Sequence, residues 1–383
     1  MIWPFQKRRL EPEGDADNAS KPDAPKPTRT WQMLQVEPAL ACNLACTMCP
    51  WRKEAGRSGK AGLMAEPVWA AIRSWLSEAD RIDFTGGGEP LMQPRLNRWI
   101  REAADAGCQT GFLTNGSLLN DAMARQLVDD GLDWIGFSVD GATADVYEAI
   151  RPGADFRRIC ASMAGMALLK QKRRPRMILN FVMMAINIHQ LEDLVYLAAD
   201  LGIDHVNFKQ CDVIRPVNED AGGLQAEIRS KNVRILEKKL KKACRLAEKL
   251  GLQTTAYAFT PDELPVCPPD PVHALFIARD GRVSPCINMA YGGPSRFFDK
   301  PVVLPRLSFG RLPEQDLMEI WQSEPCAAFR ERFRLRERAY SRALGNSQFE
   351  ASLIKLEEAF QDARKAMPPA AEGCRVCHYL YGV

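Results

Sequence analysis

The amino-acid sequence predicts an α/β protein, an open partial (β/α)6 barrel followed by a small α+β domain. Between about residues 31 and 250, six short runs rich in β-branched and aromatic residues alternate with amphipathic helical segments. This alternation is typical of a parallel sheet covered by helices. Six such units are too few to close an eight-strand barrel. Beyond about residue 250 the pattern changes to a hairpin and then helices, which indicates a second, smaller domain.

The barrel elements follow from hydrophobic periodicity. The predicted strands are 33–37, 81–85, 109–114, 134–139, 177–183 and 205–208. Helical segments lie between them, among others at 66–79, 95–107 and 189–202. In the last of these, Leu191, Leu194, Val195 and Ala198 recur at helical spacing. A basic helix at 225–250 ends the barrel domain, and its charge run is interpreted as a solvated face.

The remaining chain divides into a tail and a C-terminal domain. Residues 1–30 are rich in proline and charge, so a disordered tail is expected there. The barrel domain is assigned to 31–250 and the second domain to 251–383, with the boundary near 251–262. Asp280 and Gly281 predict a tight turn between two short strands within 274–286. Helices are expected at 310–335 and 347–366.

Composition excludes several classes of protein. Charged residues make up 26% of the chain, the hydrophobic set 46%, and the net charge is +3. The weak charge gives no reason to expect nucleic-acid binding. No apolar run of roughly 18 residues predicts a membrane span, and the first residues lack the apolar stretch of a secretory signal. A cytoplasmic protein is the expectation.

Three of the twelve cysteines form a compact motif directly after the first predicted strand. Cys42, Cys46 and Cys49 have the spacing C-x3-C-x2-C, and none of the four histidines lies in this loop. The C-terminal ends of parallel barrel strands carry active sites. Structural zinc is normally held by four ligands, whereas three thiolates on a four-iron cube leave one iron open. The spacing therefore favours an iron–sulfur cluster that takes an external ligand.

Further motifs follow the next strands in order. TGGGEP occupies 85–90, TNG occupies 114–116, SVDG occupies 138–141, and Arg151 comes shortly afterwards. Together with the cysteine loop, these motifs resemble the radical S-adenosylmethionine (SAM) superfamily. The resemblance implies that the open iron of a 4Fe–4S cluster chelates SAM. Reductive cleavage of SAM then gives a 5′-deoxyadenosyl radical that abstracts hydrogen from the substrate.

The same resemblance implies the residues that hold SAM. Glycines at 87 and 88 would bring the backbone to the amino group, a serine and an arginine would hold the carboxylate, and a methionine would contact adenine. The implied cofactor-binding residues are Met48, Gly87, Gly88, Glu89, Asn115, Ser138 and Arg151. Singly, each motif could be a turn or a surface residue. Their placement after successive strands favours the cofactor site.

Four more cysteines are patterned in the C-terminal domain. Cys267 and Cys286 flank Gly281 in a C-x13-G-x4-C hairpin, and Cys374 and Cys377 form a C-x2-C pair. The hairpin, with the segment 307–325, resembles the SPASM and Twitch extensions of radical SAM enzymes. The resemblance implies an auxiliary 4Fe–4S cluster with these four ligands, and structural zinc is the alternative. Because the sequence ends six residues after Cys377, the single-cluster Twitch form is expected.

The sequence leaves the substrate open among three hypotheses. The first is oxidation or epimerisation of a small polar metabolite. The second is modification of a peptide or protein, which the short, proline-rich tail makes less favoured because it provides no leader-binding domain. The third is a non-enzymatic iron–sulfur carrier, which would have no use for GGGEP or Arg151. A flavodoxin or ferredoxin is the expected electron donor. Cys211 and Cys326 are interpreted as packed thiols, with substrate contact or ligation as alternatives, and no catalytic acid or base is assigned.

Overall fold

The computed structural model describes residues 29–51, 62–172, 174–211, 213, 215, 233–298, 300–345 and 353–382. The expected disordered tail therefore lies outside the described residues, apart from Arg29 and Thr30. Nη2 of Arg29 donates to the carbonyl of Ala106 at 3.2 Å, and Oγ1 of Thr30 donates to Glu78 at 2.8 Å. These two residues are attached to the barrel. No helix in the described ranges is both long enough and apolar enough to cross a membrane.

Strands and helices alternate along the first two thirds of the chain. The strands are β1 (Met33–Val36), β2 (Arg81–Asp83), β3 (Gln109–Thr114), β4 (Trp134–Ser138), β5 (Arg176–Met183), β6 (His205–Gln210), β7 (Gln253–Ala256), β8 (Ala274–Ile277), β9 (Arg282–Ser284), β10 (Gly293–Phe297), β11 (Lys300–Leu304) and β12 (Gly310–Arg311). The α-helices are α1 (Glu66–Arg73), α2 (Leu96–Asp105), α3 (Asp121–Asp129), α4 (Ala144–Ile150), α5 (Phe156–Leu168), α6 (Leu191–Asp200), α7 (Val233–Lys249), α8 (Ile287–Tyr291), α9 (Leu317–Gln322), α10 (Glu324–Gly345) and α11 (Leu353–Ala366).

Ten strands form one sheet in the order β12-β9-β8-β1-β2-β3-β4-β5-β6-β7. Strands β1 to β7 run parallel, and β8 is also parallel to β1, so the C-terminal hairpin extends the barrel sheet. The six predicted strands are confirmed, as is the open α/β barrel with a smaller C-terminal domain. Strand β7 was not predicted. It lies within 251–262, the predicted domain boundary, and it continues the barrel sheet beside β6.

The C-terminal elements partly differ from the prediction. The hairpin is confirmed, because β8 and β9 pair antiparallel around Gly281, whose φ of +84° suits glycine. The region 310–335 begins with the short strand β12 and contains two helices, the second of which runs to Gly345. The basic helix spans Val233–Lys249 and the last long helix spans Leu353–Ala366, while 225–232 and 346–352 lie outside the described residues.

The two faces of the barrel sheet differ in chemistry because side chains alternate along each strand. One face packs against the helices, and its members are fully buried. They include Leu34, Ile82, Phe112, Phe137, Phe181 and Phe208. The alternate positions form the opposite face, here called the barrel lumen, and many are polar. They include Gln35, Asp83, Ser138, Asn180, Asn207 and Lys209. The sheet thus presents a polar concave face beside the loops at its C-terminal edge.

Side-chain caps begin several of the helices that cover the sheet. Asn120 accepts a hydrogen bond from the amide of Met123 at 2.9 Å at the start of α3. Asp155 does the same at the start of α5, accepting from the amide of Arg158 at 3.0 Å. Such caps satisfy amides that have no partner within the helix. They help to fix where each loop of the C-terminal edge ends.

Candidate functional site

The three-cysteine loop leaves β1 and is held by its neighbours at the C-terminal edge of the sheet. The amide of Thr47 donates to the carbonyl of Ile150 at 2.9 Å, so the loop is attached to the end of α4. All three thiols are free. Burial, with smaller contributions from the neighbouring Cys46 and Cys42, raises the pKa of Cys49 to about 12. Three interacting thiols in one partly buried loop are a donor set that fits an iron–sulfur cluster.

Arg151 is the cation of this site. It is buried, and its Nη1 lies 3.6 Å from Sγ of Cys46. Its Nε and Nη2 both contact Oδ2 of Asp140, at 2.8 and 2.6 Å. Burial opposes the charge on the guanidinium, but Asp140 and Cys46 outweigh burial and raise the pKa of Arg151. The guanidinium is therefore charged, and it is held beside Cys46 of the three-cysteine loop.

Asp140 was missed as a functional residue, although it lies within the SVDG motif. It is fully buried. Its Oδ1 accepts from the amide of Val182 at 2.8 Å, and Nδ2 of Asn187 donates to its carbonyl at 3.0 Å. Its position directly after β4, between Ser138 and Arg151, was the available signal. Asp140 orients Arg151 toward Cys46.

The glycines after β2 lie against the residues that lead into the three-cysteine loop. A Cβ on Gly88 would lie 2.4 Å from the carbonyl oxygen of Ala41, and one on Gly87 would lie 2.7 Å from Leu40. Neither position has room for a side chain, so this stretch must be glycine to approach the loop. The amide of Gly87 donates to Oε1 of Glu37 at 2.8 Å. Glu37 was not identified from the sequence.

Glu89 joins the loops after β2 and β3. Its carboxylate accepts from the hydroxyl of Thr114 at 2.7 Å and from the amides of Asn115 at 2.8 Å and Leu91 at 3.1 Å. Burial raises the pKa of Glu89, while these hydrogen bonds lower it. Nδ2 of Asn115 in turn donates to Asn43 at 3.0 Å and lies 3.9 Å from Sγ of Cys42. The predicted residues Glu89 and Asn115 are thus brought to the three-cysteine loop.

The two remaining residues implied as SAM contacts are Met48 and Ser138. Met48 is buried in an apolar group with Cys46, Ile150 and Cys211. Ser138 is the last residue of β4 and is opposite Asn180 in the register of the sheet. Cys211 belongs to the same apolar group as Met48 and Cys46, so it packs beside the three-cysteine loop and not against the outer helices. Its neighbours are apolar, as expected of a packed thiol.

The barrel lumen carries polar groups that the helices do not cover. Burial raises the pKa of Asp83 to about 6, although a hydrogen bond from Thr85 and the charges of Arg81 and Lys209 act in the opposite direction. Oδ1 of Asn180 accepts from Asn207 at 3.0 Å, while its buried Nδ2 has no hydrogen-bond partner in the described part of the chain. Buried donors are normally satisfied.

The other four patterned cysteines line a single cavity in the C-terminal domain. Cys267, Cys286, Cys374 and Cys377 share it with mainly apolar neighbours such as Met289. Burial, with a smaller contribution from Cys377, raises the pKa of Cys286 to about 12. Burial also raises the pKa values of the Cys267 and Cys374 thiols, with added repulsion from the other cysteines. The fold thus assembles four thiols from three separate segments.

The four thiols of this cavity do not gather around a single point. Across the residues that the structure describes, no three Cys, His, Asp or Glu side chains converge closely enough to hold a single metal ion. Four thiols around one cavity instead match the ligands of a 4Fe–4S cluster, where each binds a different iron. Cys326 is not among the lining residues. It is fully buried in α10, with Nη1 of Arg330 at 3.5 Å from its sulfur.

Comparison with known proteins finds two matching domains. Residues 36–206 match the Radical SAM superfamily, and residues 267–343 match SPASM, an iron–sulfur cluster-binding domain. The chain is 26% identical over 314 residues to the tungsten-containing aldehyde ferredoxin oxidoreductase cofactor-modifying protein of Pyrococcus furiosus, covering 78% of this chain and 82% of that protein. It is 28% identical over 287 residues to the PqqA peptide cyclase of Ruegeria pomeroyi, covering 73% and 71%.

Solved structures show the same fold. SuiB of Streptococcus suis bound to S-adenosylmethionine superposes with a TM-score of 0.60 and 14% identity, covering 78% of this chain and 67% of that one. SuiB bound to the precursor peptide SuiA gives a TM-score of 0.55 and 12% identity, covering 92% and 70%. The fold and the matched domains define a radical SAM enzyme. More particularly, the chain is a radical SAM enzyme with a C-terminal iron–sulfur domain of the SPASM type.

Proposed function

We propose that this enzyme modifies a side chain of a peptide or protein by hydrogen abstraction in the barrel lumen. The observation that carries the proposal is the placement of the three-cysteine loop and Arg151 at the mouth of that polar lumen. The similarity to a peptide cyclase over 73% of the chain supports a peptide as the substrate. Oxidation or epimerisation of a small polar metabolite is the competing function.

The residues of the first site would each have a separate role in binding SAM. Cys42, Cys46 and Cys49 would ligate a 4Fe–4S cluster, whose open iron binds SAM and whose electron cleaves it to the 5′-deoxyadenosyl radical. Arg151 would bind the SAM carboxylate, because a guanidinium forms strong charge-assisted bonds to carboxylates. Asp140 holds that guanidinium in place through Oδ2.

The other residues predicted to contact SAM would bind further parts of the same molecule. Ser138, at the end of β4, would share the SAM carboxylate with Arg151. Gly87 and Gly88 would present backbone to the amino group, and Met48 would pack on adenine as a polarisable apolar side chain. Asn115 and Glu89 would support these contacts by fixing the loops after β2 and β3.

The lumen supplies groups suited to a polar substrate. The unpartnered Nδ2 of Asn180 would donate to a carbonyl or carboxylate oxygen of the substrate. Lys209 adds positive charge on the neighbouring strand, and Asp83 adds a carboxyl that titrates near neutral pH. An amide or carboxylate of a peptide satisfies this set of donors better than an apolar side chain does.

The second site would hold an auxiliary 4Fe–4S cluster through Cys267, Cys286, Cys374 and Cys377. A zinc ion would need these thiolates gathered at about 2.3 Å from one point, and the described side chains do not converge that closely. A saturated cluster in a mainly apolar cavity suits electron transfer rather than ligand exchange. A reduced flavodoxin or ferredoxin would supply the electrons.

Fractionated extract of the source cells tests the substrate class. Reconstituted enzyme with SAM and dithionite produces 5′-deoxyadenosine slowly without substrate, so the readout is the rise above this uncoupled rate. We expect the rise with the non-dialysable fraction, and we expect protease digestion of that fraction to abolish it. Stimulation by the dialysable, protease-resistant fraction would instead establish a small metabolite as the substrate.

A further inference from the structure

A short helix leads from the four-thiol cavity to the first site. Helix α8 starts directly after Cys286, which is its N-cap residue, and ends at Tyr291. Ile287, Ala290 and Tyr291 pack on Phe276 and Ala278 of the hairpin. Because the helix is short and closely packed, a displacement of Cys286 would also move Tyr291.

Tyr291 contacts both halves of the first site. Its ring lies 5.1 Å from that of Trp51, which follows Cys49 by two residues. Its hydroxyl donates to Oε2 of Glu37. One side chain of the C-terminal domain therefore contacts the end of the cysteine loop and a carboxylate at the end of β1.

Glu37 connects Tyr291 to the glycine motif. It is fully buried. Oε1 accepts from the amide of Gly87 at 2.8 Å, and Oε2 accepts from the amide of Arg279 at 3.1 Å. A buried carboxylate depends on such donors, so losing one displaces it or the groups that it still holds. Gly87 has little freedom to follow, since a Cβ built on it would lie only 2.7 Å from Leu40 and 3.0 Å from Trp51.

We infer that Tyr291 is a positioning residue that couples the four-thiol cavity to SAM binding through Glu37 and Gly87. The inference rests on the proposed function, which assigns Gly87 to SAM and Cys286 to the auxiliary cluster. Occupation of the cavity orders Cys286 and hence α8. Tyr291 then holds Glu37 in the position that aims the Gly87 stretch at SAM. The C-terminal domain thereby sets the SAM affinity of the barrel domain.

The test is the SAM affinity of Tyr291→Phe, measured by titrating SAM into the reduced protein and following the electron paramagnetic resonance signal. This variant keeps the ring against Trp51 and removes only the hydroxyl. We expect SAM binding about threefold to tenfold weaker with unchanged iron content, since one hydrogen bond to a buried carboxylate is lost. Glu37→Gln, which retains the shape but not the charge, should weaken binding at least as much.

Tyr381→Phe is the matched control. Its hydroxyl also belongs to the C-terminal domain, but it donates to the carbonyl of Arg375 at 3.1 Å and not to Glu37. We expect its SAM affinity to equal that of the wild type. Unchanged SAM affinity in both Tyr291→Phe and Glu37→Gln would overturn the coupling.

A double-mutant cycle separates this inference from the function on which it rests. Replacing Cys374 and Cys377 by alanine should remove about four irons and weaken SAM binding, and should add little further loss in Tyr291→Phe. If the losses of SAM affinity from the cysteine replacements and from Tyr291→Phe multiply in the combined variant, the two regions act independently. That result would overturn the coupling but not the ligand assignment. Unchanged iron after the cysteine replacements would overturn the ligand assignment, and the coupling with it.

Discussion

The two cysteine sites of this enzyme differ in how their cations are used. In the first site, Nη1 of Arg151 points at the Cys46 sulfur. In the second, the charge of Arg336 acts on Cys374, but Nε, Nη1 and Nη2 of Arg336 all donate to protein oxygens. Each guanidinium nitrogen of both arginines has a partner, but Nη1 of Arg151 contacts a thiol of its own site, whereas the nitrogens of Arg336 contact only protein oxygens. This difference supports the proposal that the first site binds SAM and that the second holds a cluster with four protein ligands.

The number of thiols follows the same division. Three thiols stand beside a polar lumen in the first site, and four thiols close the second among mainly apolar residues. An iron–sulfur cube with three protein ligands has one exchangeable position, and a cube with four has none. The surroundings and the ligand count therefore lead to the same assignment.

The largest expected effect comes from removing either set of thiols. Replacing Cys42, Cys46 and Cys49 by alanine should reduce about eight irons per chain to about four and abolish SAM cleavage. Replacing Cys374 and Cys377 should also leave about four irons, but the remaining cluster should still cleave SAM. Iron analysis and 5′-deoxyadenosine formation measure both outcomes. Full iron content in the triple variant would contradict the first assignment, and zinc in the second site would contradict the other.

A smaller effect is expected from the cation that distinguishes the sites. Arg151→Ala should weaken SAM binding by roughly 10- to 150-fold while iron content is unchanged, because a charge-assisted hydrogen bond contributes about 1.5–3 kcal/mol. The exposed Arg157→Ala serves as the control. Since Arg151→Ala leaves the buried Asp140 without its cation, the double variant with Asp140→Asn should show the same loss in a better-folded protein. SAM affinity equal to that of the control would place Arg151 outside the cofactor site.

The last expected effect is on the stability of the fold and not on SAM, and it concerns the lumen beside the first site. Because burial raises the pKa of Asp83 to about 6, the folded protein binds this proton more tightly than the unfolded chain. Asp83 therefore stabilises the fold at low pH, and this contribution is lost as the pH rises from about 4 to about 6. Asp83→Asn should raise the free energy of unfolding at neutral pH by up to about 3 kcal/mol.

Denaturant unfolding at several pH values measures the effect of Asp83→Asn. The difference from wild type should shrink as the pH falls from about 6 to about 4 and be absent below about pH 4, where the Asp83 side chain is neutral in both the folded and the unfolded protein. Asp105→Asn, at the exposed end of α2, is the matched control with which the effect of Asp83→Asn is compared. Equal stability of wild type and Asp83→Asn at all pH values would mean that Asp83 is solvated.

The barrel and both cysteine sets could be predicted because their signals are local. Strand periodicity extends over a few residues, and the C-x3-C-x2-C loop and the C-x2-C pair are contiguous. Strand β7 was missed because QTTA is short and polar, and its side chains are at most half-buried at the edge of the sheet. Strand β12 has only two residues, which is too short to show the alternation of apolar and polar residues that predicts a strand.

The residues that connect the sites could not be found in this way. The hydrogen-bond partners of Glu37 lie 50, 242 and 254 positions further along the chain. Only the folded sheet, in which β8 lies beside β1, brings them together. Asp140 had a local signal in SVDG, but a turn aspartate has the same appearance. Its pairing with Arg151 requires the geometry of α4.

The most direct test of the division between the two sites is whether SAM contacts one cluster and not the other. Electron–nuclear double resonance with SAM labelled at its amino nitrogen detects direct ligation to iron. In the Cys374→Ala/Cys377→Ala variant, where the three-thiol cluster remains, we predict a nitrogen coupling from labelled SAM. In the Cys42→Ala/Cys46→Ala/Cys49→Ala variant, where the four-thiol cluster remains, we predict none. A coupling in the second variant, or its absence in the first, would contradict the assignment of SAM to the three-cysteine site.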